Sequence, residues 1–223
     1  MRSRSYGSDV FHLIGVSHDI QSYEPEKDLN DGQRRLSECL TRLVGEIKLA
    51  VIGEEMSLEM LPGRVSIPQE IAQKAGIEHR FCDPDSEERR AMGYRDRSAI
   101  KLGLWLSPEG WHLSTADQDA KASAIEIVHY FPMREQFWLD RLAGHKQSEV
   151  AFVLGDGHVE SFADLLKTNQ IPSRVVERGI GITQGDKQED TCRRERALAY
   201  LEKHPEIRTQ AISPRPPRTP DRS

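Results

Sequence analysis

The sequence predicts an α/β fold in which a mostly parallel sheet is flanked by helices. Short apolar runs that end in turn residues alternate along the chain with segments of helical periodicity, which is typical of parallel strands joined by helical crossovers. Three of the runs end in ionisable residues, at His18-Asp19, Glu54-Glu55 and His158. Because ligands of open α/β sheets bind at the carboxyl ends of the strands, the sequence places a candidate site at that edge.

The predicted strands are short apolar runs closed by glycine, proline or charged residues. They cover Val10–Val16, Leu49–Gly53, Ile77–Cys82, Val150–Leu154 and a last strand or edge strand at 174–181. Their lengths suit the buried strands of a parallel sheet.

The first predicted helix follows Asn30-Asp31-Gly32 and has an amphipathic spacing. Its apolar residues are Leu36, Leu40, Leu43, Val44 and Ile47. A second helix is predicted with Pro68 in its first turn and Gly76 beyond its end, and a third from Ser86 to about Arg97. A fourth is predicted after Pro132 as far as Gly144. A fifth follows a Ser161 cap, with Asp164 in the capping-box position, and a sixth begins at about Thr183.

We expect residues 1–200 to form one α/β domain, which is an ordinary size for one hydrophobic core. Residues 98–122 contain two tryptophans in no clean period and are predicted to be a lid or an insertion. Residues 205–223 are rich in proline and arginine and are predicted to be a disordered tail.

Composition excludes several classes of protein. The chain has 223 residues and a formal net charge of -5, so nucleic acid and anionic membranes are not expected as partners. No run approaches the roughly 18 apolar residues of a membrane span, and three unevenly spaced cysteines indicate reduced thiols. We therefore expect a soluble, cytoplasmic protein that takes a small-molecule or peptide substrate, and nothing in the sequence indicates its oligomeric state.

Two turns share one spacing, Gly15-Val-Ser-His18 and Gly155-Asp-Gly-His158. Each follows an apolar run, and a glycine there lets the chain turn sharply and leaves room beside an imidazole. A single histidine in such a turn is usually a turn or cap residue. Two of them at the same spacing favour parts of one site.

Two histidines and a carboxylate suit a first-row metal such as Mn, Co or Zn, which would acidify a bound water. The predicted ligands are His18, Glu54 and His158. The same residues would also work without metal, with one histidine as a general base. Glu55 is an equal candidate because it adjoins Glu54, and Asp83 is held in reserve, since an Asp before proline is usually an Asx-turn residue.

Arg134 is predicted to share one side of a helix with Trp138 and Leu142, at i, i+4 and i+8. An arginine on a side that packs is costly unless it meets an anion. Its guanidinium would orient a carboxylate or bind an anionic substrate. The alternative is an arginine whose charged end reaches solvent at the edge of the core.

The order Gly15-Val-Ser-His18, Glu54, Arg134, Gly155-Asp-Gly-His158 resembles the TIKI/TraB/PrgY and erythromycin-esterase/ChaN-like superfamily, over about residues 10–180. The resemblance implies an α/β fold with a site at the strand ends. It also implies His18 and His158 as the site histidines, Glu54 as the carboxylate and Arg134 as the partner of an anion or a carboxylate. Members include metal-dependent peptidases, esterases that open macrolide lactones, and haem- or iron-linked proteins. Unlike TraB proteins, this sequence is not expected to have a transmembrane tail.

The first functional hypothesis is a hydrolase, metal-dependent and peptidase- or esterase-like, that cleaves an amide, ester or related bond with activated water. The alternative is a non-enzymatic protein that binds haem, iron or a small ligand through the same histidines. The sequence contains no Walker loop, no Gly-x-Ser-x-Gly elbow and no His-Glu-x-x-His, so those mechanisms are not expected.

Overall fold

The computed structural model describes residues 10–145 and 148–209. Their strands are β1 (Phe11–Val16), β2 (Ser22–Tyr23), β3 (Val51–Glu54), β4 (Val65–Ser66), β5 (Glu78–Phe81), β6 (Val150–Gly155) and β7 (Ser173–Ile180). Five of them form one sheet in the order β5-β3-β6-β1-β7, and every pair in it is parallel. The predicted α/β fold with a parallel sheet is therefore confirmed. The short strands β2 and β4 pair antiparallel outside this sheet and were not predicted.

The α-helices of the described residues are α1 (Asp31–Glu46), α2 (Ile67–Ala75), α3 (Ser86–Met92), α4 (Arg97–Trp105), α5 (Pro108–Trp111), α6 (Thr115–Ile125), α7 (Phe131–Arg141), α8 (Val159–Thr168) and α9 (Gln184–Lys203). A π-helical turn, Glu126–Tyr130, joins α6 to α7. Two short 3-10 turns matter for the site, His18–Ile20 after β1 and Asp156–His158 after β6.

The strand order brings three carboxyl ends together. Strands β1 and β3 are not neighbours in the sheet. β6 lies between them and pairs with β1 on one side and β3 on the other. Val153 of β6 is in register with both Ile14 and Glu54. The turns that follow these three strands therefore emerge side by side.

Each face of the sheet is covered by its own helices. Side chains alternate between the faces along a strand, so Ile52 packs with the cluster of α1 and α2, whereas Val51 packs with that of α7 and α8. The second cluster contains Trp138, Phe152 and Phe162, which are fully buried. This alternation decides where each residue beyond a strand end points.

The helix after β6 begins earlier than predicted. It starts at Val159, and Ser161 does not cap it: its hydroxyl donates to Glu135 and to the carbonyl of His158. The stretch without clean periodicity, residues 100–119 within the predicted insertion, is mostly helical. It contains α5 and the start of α6, which are capped by Ser107 and Ser114.

The chain divides into two compact units. Within the described residues the first comprises 10–84 and 134–188 and contains the parallel sheet; the second comprises 85–133 and 189–209. The predicted lid or insertion at 98–122 lies within the second unit. This division concerns compactness, so the single domain over 1–200 stays a prediction.

The predicted tail lies partly within the described residues. Residues 205–209 form a 3-10 turn in which Ile207 is buried among Ala197, Tyr200 and Leu201, because the turn carries one apolar side chain that packs. Residues 210–223 lie outside the described residues. Among the described helices, none combines the length and the apolar character that crossing a membrane requires.

Candidate functional site

Glu55 is the carboxylate at the centre of the candidate site. Its side chain is fully buried, and Oε2 accepts a hydrogen bond of 2.6 Å from the amide of Gly155. Oε1 lies 2.7 Å from Nη1 of Arg134. Burial alone would raise the pKa of Glu55, but the positive charge of Arg134, with smaller contributions from His18 and His158, holds it below its usual value. Glu55 is therefore ionised at neutral pH.

Arg134 joins Glu55 to a second buried carboxylate. Its Nε donates to Oδ1 of Asp83 over 2.5 Å, and the same oxygen accepts from the indole of Trp138 over 3.1 Å. The guanidinium lies 5.1 Å from the centre of the Trp138 ring, a favourable cation–π distance. Of the two expectations for Arg134, the structure supports the one in which it orients carboxylates.

His18 is the accessible imidazole of the site. It lies in the 3-10 turn after β1, its side chain is 56% exposed, and its Nε2 is 3.6 Å from Oε1 of Glu55. Gly155 makes this approach feasible: a Cβ there would lie 2.5 Å from His18 Nε2. Gln21, which is fully buried, approaches Nδ1 of the same ring at 3.4 Å.

His158 is the buried imidazole of the site. Its Nε2 lies 3.9 Å from the same Oε1 of Glu55, and its Nδ1 lies 2.8 Å from Oε1 of Glu135. Because a carboxylate accepts hydrogen bonds, Nδ1 carries the proton and Nε2 faces Glu55. Ser161 also donates to Glu135 over 2.5 Å, and Trp138 packs edge-on against the imidazole. The ring is thus fixed on both sides.

Glu54 does not belong to this group. It ends β3 with its side chain on the opposite face of the sheet, where Oε1 accepts from Ser66 over 2.5 Å and lies 2.8 Å from Nε2 of His79. Burial raises its pKa, although the hydrogen bonds from His79 and Ser66 oppose the effect. The placement of Glu54 beside His18 and His158 is therefore wrong: Glu55 lies there instead, because consecutive residues along an extended chain point to opposite faces.

The structure thus brings four of the five predicted residues together: His18, Glu55, Arg134 and His158. The reserve candidate Asp83 joins them through Arg134. Glu135 was missed. Its signal was its position next to Arg134 and three residues before Trp138, on the helix side that was expected to pack.

These residues, as they stand, do not fit a divalent metal bound to Glu55. Among the described residues, no group of three or more His, Cys, Asp and Glu side chains is arranged to hold a metal ion. The oxygen that both imidazoles approach already contacts the guanidinium of Arg134. A metal on that oxygen would place a second cation against the first. A metal centre, like haem, remains a prediction that measurement must test.

The arrangement has the parts of an acid–base centre. One accessible and one buried imidazole face a single ionised carboxylate, and buried partners fix that carboxylate and the inner imidazole. Histidine exchanges protons near neutral pH, and a nearby negative charge stabilises the imidazolium that forms.

No family model, curated protein or solved structure matches this chain. The resemblance to the TIKI/TraB/PrgY and erythromycin-esterase/ChaN-like superfamily therefore stays a prediction from the order of the motifs.

Proposed function

We propose that this protein is a hydrolase in which His18 acts as the general base that activates a water molecule. The observation that carries the proposal is an accessible imidazole 3.6 Å from a buried carboxylate that is ionised. A general base must reach solvent, and its protonated form must be stabilised by its surroundings. His18 meets the first condition by its exposure and the second through Glu55.

Glu55 has the role of an orienting and charge-stabilising group. Arg134 and the amide of Gly155 fix its two oxygens, so it does not reorganise when the imidazolium forms. Asp83 in turn fixes Arg134. We assign Arg134 and Asp83 to positioning and expect them to act through Glu55.

His158 has the role of the second proton carrier. Its Nδ1 is bound to Glu135, so proton exchange is confined to Nε2, on the side of Glu55. In hydrolysis of an ester or amide, His18 takes the proton of the water as its oxygen attacks the carbonyl carbon. A protonated His158 gives a proton to the leaving oxygen or nitrogen as the carbonyl–heteroatom bond breaks.

The test is hydrolysis of a panel of p-nitrophenyl esters and aryl amides by the parent chain and by His18→Ala and His18→Gln. We expect both variants to lose about 10²-fold or more in kcat, the usual contribution of a general base, with unchanged circular dichroism. His112→Ala is the matched control, since His112 is an exposed histidine of the second unit. Parent-like activity in both His18 variants would overturn the proposal.

Metal content distinguishes this mechanism from the metal-dependent one. We expect the protein purified without a tag to keep its activity after treatment with EDTA. Stoichiometric Mn, Co or Zn that is lost in both His18→Ala and His158→Ala would instead support the metal-dependent hydrolase. A haem Soret band in a protein that hydrolyses none of the panel would support the ligand-binding alternative.

A further inference from the structure

Four large apolar side chains are exposed on or next to α4 and α5, in the second unit. They are Leu102, Trp105, Leu106 and Trp111, with exposed fractions of 55, 63, 63 and 69%. The indole of Trp111 donates to the carbonyl of Trp105 over 3.1 Å, so the two tryptophans are held next to each other. We call these four residues the tryptophan surface.

The tryptophan surface is not needed for the core of its unit. Ile100 and Leu104 of α4 pack inward against Ala122 and Tyr130, whereas Leu102, Trp105 and Leu106 lie at i, i+3 and i+4 as a separate stripe. Single exposed apolar residues are common, but a contiguous group marks an interaction site. Glu109 of α5, whose side chain is 80% exposed, lies 3.5 Å from Nζ of Lys121.

The sequence beyond the described residues has the composition that binds such a surface. Residues 210–223 contain four prolines and three arginines against one aspartate; they are Pro214, Pro216, Pro217, Pro220, Arg215, Arg218, Arg222 and Asp221. Proline-rich segments dock onto grooves lined with aromatic side chains. Arginines stack on tryptophan, which suits the two exposed indoles, Trp105 and Trp111.

The reach of this segment is comparable to the length of α6, the helix that leads from the turn Glu126–Tyr130 back toward Trp111. The described chain ends in the turn Pro205–Thr209, where the Ile207 carbonyl lies 2.6 Å from Nε2 of His129 on the π-helical turn. From that turn, α6 leads back toward Trp111 over 11 residues, about 16 Å of helix. Pro214 to Pro217 follow Thr209 by five to eight residues, which spans about 15–25 Å at the rise of a polyproline helix.

We propose that residues 213–220 dock onto the tryptophan surface of their own chain. The segment follows the turn Pro205–Thr209, which belongs to the same compact unit as the tryptophan surface, so docking is intramolecular and has a high effective concentration. Occupation of the same surface by a second copy of the chain is the competing outcome, and concentration dependence separates the two.

The first test is acrylamide quenching of tryptophan fluorescence in the full chain. Trp138 is fully buried, so the quenched signal comes from Trp105 and Trp111. The triple variant Pro214→Ser/Pro216→Ser/Pro217→Ser should lose the protection of these two indoles, to the level of a chain that lacks residues 210–223. Equal quenching of the parent and of the triple variant would overturn the proposal.

The second test is the rate of trypsin cleavage after Arg218, followed by mass spectrometry. Trp105→Ser/Trp111→Ser should be cleaved about tenfold faster than the parent, the factor that about 1.4 kcal/mol of docking free energy provides. The control is Leu58→Ser/Met60→Ser, which changes two similarly exposed apolar residues of the first unit and should be cleaved at the parental rate. Protection that appears only at concentrations where light scattering detects a dimer would refute intramolecular docking.

Discussion

Two adjacent glutamates show that the charge of a buried carboxylate depends on its immediate partners. Glu54 and Glu55 are both buried, yet their pKa values shift in opposite directions. Glu54 meets only uncharged hydrogen-bonding partners and the imidazole of His79, and burial dominates. Glu55 meets the permanent charge of Arg134, which outweighs burial. The type of residue was readable from the sequence, but the partners that set its charge were not.

Gly155→Ala is the residue-scale prediction. The backbone of Gly155, with φ −57° and ψ 134°, is accessible to alanine, so the fold should persist. The added Cβ would lie 2.5 Å from His18 Nε2 and must displace that exposed ring from Glu55. If the proposed hydrolysis depends on this contact, kcat should fall about 10²-fold, the effect of displacing a catalytic group by about 1 Å.

The measurement is hydrolysis of the ester panel together with the NMR signals of the His18 ring, which report on displacement whether or not the protein is a hydrolase. Gly45→Ala is the control, because a Cβ there meets no atom within 4 Å. Unchanged His18 signals in Gly155→Ala would contradict the predicted contact.

At the scale of the element, α7 assembles most of the buried part of the site. Trp138 follows Glu135 by three residues and Arg134 by four, so both charged side chains lie on the same side of the helix as Trp138. Two charged residues on a buried side are costly unless each has a partner. Arg134 has Asp83 and Glu55, and Glu135 has His158. The charged residues of the predicted helix after Pro132 therefore indicate buried partners, as its apolar residues indicate the side that packs.

Asn30→Ala is the element-scale prediction. Asn30 caps α1 by accepting from the amide of Gln33, whose side chain accepts from the amide of Asn30 in return. Loss of this capping box should lower the free energy of unfolding by about 0.5–2 kcal/mol. Urea denaturation measures it, with Glu38→Ala, an exposed change in the middle of the same helix, as the control expected to stay within about 0.5 kcal/mol. Equal effects of the two changes would contradict the assigned cap.

At the scale of the whole molecule, the order of the strands creates the site. Insertion of β6 between β1 and β3 places the turns with His18, Glu55 and His158 next to one another. If the strands followed one another in chain order, β6 would not lie between β1 and β3. His158 would then lie far from His18 and Glu55. The position of the site at this edge follows the general rule for parallel sheets.

The pH dependence of global stability is the whole-molecule prediction, and it has opposite signs for the two glutamates. Folding raises the pKa of Glu54 above its ordinary 4.5, so its contribution is complete below 4.5 and is lost as pH rises through the raised value. Folding lowers the pKa of Glu55, so its contribution is present above 4.5 and is lost as pH falls through the lowered value.

Glu54→Gln should therefore weaken the decline of stability toward neutral pH. Glu55→Gln should be less stable than the parent at neutral pH, by about 1.5–3 kcal/mol, because the charged contact with Arg134 is lost while Asp83 still pairs with the guanidinium. Urea denaturation at a series of pH values from 3 to 8 would measure both. Variants with the same pH profile would show that the two carboxylates do not differ in environment as described.

The sequence by itself determined the five strands of the parallel sheet, most helices and the grouping of His18, Arg134 and His158, because apolar periodicity and turn residues are local properties of the chain. It did not determine the short strands β2 and β4. Only the tertiary structure decided between Glu54 and Glu55, since a shift of one residue at a strand end moves a side chain to the other face of the sheet. It also decided that Ser161 supports Glu135 and does not cap α8. The first outcome depends on surfaces that meet across 100 residues of chain, from Glu55 to Gly155, and the second on surfaces 26 residues apart, so no local pattern encodes either.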